Sequence, residues 1–137
     1  MLGIFFAPLA CSQSIAASQL NQLVAIAEQA RDACASKIHF DTYEFQRCVD
    51  RLATQQKNSD FSRLAINYAG YAVALSTSRV GMEGAESTAW HFYKRYKPLQ
   101  TKLNIDDQTI CGIFPGNCKI RVAQTVELQK SHQKGLK

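Results

Sequence analysis

Five cysteines constrain this chain more than any other feature: Cys11, Cys34, Cys48, Cys111 and Cys118. The last two bracket the stretch CGIFPGNC and close on a Phe-Pro-Gly-Asn turn. A structural zinc site sets its ligands in tight pairs with two to four residues between them. The gaps here are thirteen, sixty-two and six residues from Cys34 onward, and none of the three histidines sits at ligand spacing. A redox C-x-x-C pair is absent as well. The spacing therefore predicts disulfides, with no metal and no cofactor. Four cysteines allow three pairings. The local one, Cys34 with Cys48 and Cys111 with Cys118, matches an antiparallel helical hairpin and a small turn.

Disulfides persist in oxidising compartments, so the first residues carry weight. MLGIFFAPLACSQSIAA begins with a short apolar run, Leu2 to Ala10. It is too short for a membrane-spanning helix of about 20 residues and matches a secretory core of about 7–15. The basic segment that usually precedes such a core is missing. Two cleavage readings compete. PLAC resembles a bacterial lipobox, which would leave Cys11 as a lipidated N-terminus. Pro8 and Leu9 fit that box imperfectly. The other reading is ordinary cleavage after Ala16 or Ala17. Either way Cys11 leaves the thiol count and four cysteines remain to pair. The expected organisation is a leader and tether over 1–17, one helical domain over 18–130, and a frayed basic tail over 131–137.

The 137 residues, 46% of them hydrophobic, suffice for one domain with one core. Apolar residues recur at steps of three and four, which predicts helices over 18–37, 42–57, 61–79 and 85–103. Asp41 followed by Glu44 reads as a capping box for the second helix, and Asp60 as the N-cap of the third. The third is the most apolar and is placed at the centre. Pro98 should kink or interrupt the fourth. A short helix within 104–114 and a last one over 118–130, with a weak Val122/Val126 stripe, complete the chain. No β-alternation appears. The fold class is all-α: a bundle of four main helices plus a short C-terminal helical pair, braced by two disulfides.

The net charge of +5 is uneven. Residues 1–90 hold seven Lys/Arg against eight Asp/Glu; residues 91–137 hold nine against three. A basic half suits an anionic partner or simply a solvated face. The richest surface candidate is WHFYKRYK, residues 90–97. Trp90, His91, Tyr93, Lys94, Arg95 and Lys97 mix aromatic and cationic groups as interaction hot spots do. Phe92, Tyr93 and Tyr96 also fall at core spacing. Phe114 is expected to stand out at the tip of the 112–117 loop as a further contact. No catalytic motif occurs, and His91 has no carboxylate assigned to it by spacing, with Ser87 one turn away.

The layout is similar to that of small helical lipoproteins of Gram-negative envelopes, such as secretion pilotins, exclusion proteins and immunity proteins, although no residue is carried over from them. The sequence thus predicts a periplasmic, lipid-anchored or free, non-enzymatic domain that binds another envelope or secreted protein. One alternative is an envelope factor holding anionic peptidoglycan or lipid through the basic half; nucleic acid fits poorly with export. Another is a small hydrolase built on His91.

Overall fold

The computed structural model describes residues 16–114 and 118–135, so the expected leader, with Cys11 as the expected lipid attachment, and the loop tip 115–117 lie outside the described residues. Among the described residues six helices follow one another: α1 Ala17–Cys34, α2 Thr42–Gln55, α3 Asp60–Arg79, α4 Ala85–Lys102, α5 Asp107–Cys111 and α6 Cys118–Gly135. A 3-10 turn, Ala35–His39, links α1 to α2. Among the described residues there is no strand. The all-α bundle with a short C-terminal pair is the fold, and no described helix is long and apolar enough to cross a membrane.

Local chemistry sets the boundaries. Asp41 accepts from the Tyr43 N–H at 2.8 Å and starts α2. Glu44 turns to Arg47 instead of closing a capping box. Ser59, not Asp60, caps α3, accepting from the Ser62 N–H at 3.1 Å. Asp60 becomes the first helical residue, where its charge suits the helix N-terminus and meets Arg63 and Lys102. Pro98 leaves α4 continuous. Its ring lies on the exposed side, so the one backbone bond it removes leaves the Lys94 carbonyl with access to water. The last helix runs to Gly135, five residues beyond the expected end.

The centre is α3, which buries residues around nearly its whole circumference, from Leu64 to Thr77. Gly70 lets α4 approach closely: a methyl group at that position would lie 2.9 Å from the Phe92 ring. Phe45 of α2 meets Phe92 edge-on at 6.0 Å, which joins α2, α3 and α4 in one apolar centre. Both local disulfides form, Cys34–Cys48 and Cys111–Cys118, each with a Cα–Cα distance of 5.7 Å. The first ties the end of α1 to α2, and the second ties α5 to the start of α6.

Helix α6 is held differently. Its only buried apolar side chain among the described residues is Leu128. Polar tips do the rest. Arg121 donates to the Tyr68 hydroxyl at 3.1 Å, Tyr71 bonds Thr125, and Gln129 donates to the Tyr93 hydroxyl. Val122 and Val126, the expected stripe, stay about half exposed.

Candidate interaction surface

The predicted surface on α4 divides in two. Tyr93 points inward and is 8% exposed. Trp90 is half-buried, stacked on Tyr93 at 5.3 Å and on His132 of α6 at 4.5 Å. The Lys94 ammonium lies 5.9 Å from the Trp90 ring centre, a cation–π placement on the solvent side. Lys94 and Arg95 are exposed, while Lys97 bonds Asp107 at 2.8 Å. Core packing has therefore taken the aromatic face and left the cations outside.

Phe114 does not stand out. It is half-buried, stacked on Tyr68 at 6.3 Å, with the Arg31 guanidinium 5.2 Å from its ring centre. Its carbonyl accepts from Arg121. That bond from Arg121 holds Phe114 against α3, where the Tyr68 ring gives it an aromatic floor.

His91 has a partner that spacing did not reveal. Asp50, forty-one residues earlier on α2, approaches its Nε2 at 3.1 Å. Arg95 Nε lies 3.0 Å from the same nitrogen and 3.8 Å from the carboxylate. One nitrogen cannot both donate to Asp50 and accept from Arg95. The carboxylate is the stronger claimant, so the Nε2 proton faces Asp50. The trio ties α2 to α4. Ser87 makes no hydrogen bond to His91 among the described residues.

Several cations of the basic half have internal partners. Lys97 is paired with Asp107, Lys102 with Asp60 at 2.7 Å, and Arg121 with the Tyr68 hydroxyl and the Cys111 carbonyl. Lys94, Lys119 and Lys130 remain exposed.

The feature that the sequence reading missed lies at one end of the bundle. The turn from α1 to α2 and the turn from α3 to α4 meet there. Gly84 packs so closely on Thr42 that a Cβ would lie 2.8 Å from the threonine hydroxyl. Gly84 is left-handed, with φ 85°, a backbone that side chains rarely adopt. Around this junction Phe40 is 87% exposed, Tyr43 60% and Val80 81%. The Arg47 guanidinium sits 5.6 Å from the Tyr43 ring centre. These exposed apolar side chains make this end of the bundle a candidate contact surface. The available signal was KIHFD: Phe40 falls in a break, outside every helical stripe.

No protein-family model, curated protein or solved structure matches this chain, so its surface is read from its own residues alone.

Proposed function

We propose that this chain is an exported, disulfide-braced helical domain of the cell envelope that acts by binding another envelope or secreted protein, such as a secretion component or a toxin. The two disulfides favour a compartment where thiols oxidise, and the apolar start at Leu2–Ala10 fits export with Cys11 as a lipid anchor. The observation that carries the binding role is the exposure of Phe40 and Tyr43 beside the Cys34–Cys48 bridge. The bridge restrains the backbone that carries the two rings, which lowers the backbone share of the entropic cost of association. Arg47 adds a cation beside one ring, the residue types most enriched at hot spots. Lys94 and Arg95 are exposed further along α4.

The test is capture from envelope extract by the mature protein and by a Phe40→Ala/Tyr43→Ala double variant. Both residues are exposed, so the variant keeps the wild-type melting temperature. The expected result is one dominant protein captured by the wild type and lost with the variant. An identical captured set from both would remove the surface. Intact-mass analysis of protein from its host tests export separately: residues 1–10 retained with all sulfurs reduced would end that part of the reading.

A further inference from the structure

Beneath α6 lies a cleft of about 120 Å³ whose walls include Tyr68, Tyr71, Tyr93 and Tyr96. Their rings pack at 5.0–6.0 Å between centres, with Tyr96 touching the other three. Four phenols around one small space call for an account of their hydroxyl protons.

Tyr71 spends its proton. Thr125 donates its only hydroxyl hydrogen to the Arg121 carbonyl at 2.8 Å, so in the Tyr71–Thr125 contact Tyr71 is the donor. Tyr68 and Tyr93 are acceptors, from Arg121 and Gln129, and keep their own protons. Tyr96 lines the cleft and is 4% exposed as a residue, and its hydroxyl makes no hydrogen bond among the described residues. Burial raises the Tyr68, Tyr71 and Tyr96 hydroxyls above the ordinary phenol value, which holds them protonated. Three O–H donors therefore border the cleft with no acceptor assigned. The charges agree: Lys97 and Arg121 line it against one acid, Asp107, which Lys97 and Gln100 already hold. Ile110, Val122 and Val126 supply an apolar side.

We propose that this cleft is a binding site for a small carboxylate, which accepts from the Tyr96 hydroxyl while its short apolar body rests against Val122 and Val126. A hydroxyl that faces a small cleft with no protein acceptor bonds most strongly to a charged one. The size sets an upper limit. An apolar cavity of about 150 Å³ admits benzene, so the ligand has a handful of heavy atoms. The site is separate from the Phe40–Tyr43 surface and stands whether or not that surface binds a protein.

The test uses acetate, butyrate and benzoate as probes and butylamine as a cation of similar size, with calorimetric titration and side-chain NMR of the tyrosines. At least one carboxylate should bind, shifting the Tyr96 ring signals, and butylamine should not. Tyr96→Phe removes only the unpartnered hydroxyl. It should keep the wild-type melting temperature and weaken carboxylate binding about tenfold or more, as expected for a lost hydrogen bond to a charge. Three results overturn the proposal: no carboxylate binding at millimolar concentration, equal binding of butylamine, or undiminished binding by Tyr96→Phe. A clear drop in melting temperature for Tyr96→Phe also overturns it, because the hydroxyl would then have a structural partner.

Discussion

Gly70 shows how one missing side chain sets a helix–helix distance. The Phe92 ring fills the space where a Cβ would lie and is itself fully buried. Gly70→Ala gains about 1 kcal/mol of helix propensity but forces a ring or a helix to shift, which costs about 1–3 kcal/mol. Net destabilisation by about 1 kcal/mol should appear as a lower urea midpoint with the slope unchanged. Asp107 is a second instructive residue. Lys97 first, and then Gln100, hold its carboxyl below the usual carboxylate range. A depressed folded value means that the carboxylate stabilises the fold above the ordinary range near pH 4 and loses that contribution as pH falls through the lowered one. Asp107→Asn should therefore be less stable than the wild type at pH 5, and the gap should shrink towards pH 2. The gap stays below about 1 kcal/mol, because the carboxylate is largely exposed. Urea midpoints across that interval measure it; a constant offset would count against the pairing.

Among the elements, the two disulfides have unequal work. In the loop-entropy account each contributes about 2–3 kcal/mol, with little between them. Position separates them. Cys34 and Cys48 sit in the core between α1 and α2, whereas Cys111–Cys118 anchors one end of a helix with a single buried apolar residue, Leu128. Cys34→Ala/Cys48→Ala should lower global stability by about 3 kcal/mol. Cys111→Ala/Cys118→Ala should chiefly speed amide exchange in α6 and leave α3 protected. Exchange mapped by NMR distinguishes the two patterns. The same contrast explains what could be read from the residues alone. Helices α1 to α4 announce themselves by apolar side chains at steps of three and four, since that spacing is what burial requires. Their ends were legible to within a few residues, except where Ser59 and Asp60 offered rival caps. The seat of α6 was not legible: it is held by Arg121, Thr125 and Gln129 reaching tyrosine hydroxyls, and hydrogen bonds between distant polar side chains leave no period. Asp50 was missed as the partner of His91 for the same reason, and Phe40 because an exposed ring in a break resembles any other loop residue.

For the molecule as a whole, the bundle of α1 to α4 forms one apolar body, and α6 is laid along it by polar contacts and a covalent clasp at its first residue. Such a body opens from its weakest edge before it unfolds globally. The chain's single tryptophan lies on that edge, Trp90, its indole sandwiched between Tyr93 of the body and His132 of α6. The molecule thus carries its own optical gauge. If α6 lifts, the indole loses one of its two covers and meets water while the α-helical circular dichroism barely changes. Tryptophan emission should shift to longer wavelength at a lower denaturant concentration than the far-ultraviolet signal, and coincident transitions would mean that the clasped helix and the bundle melt as a single block.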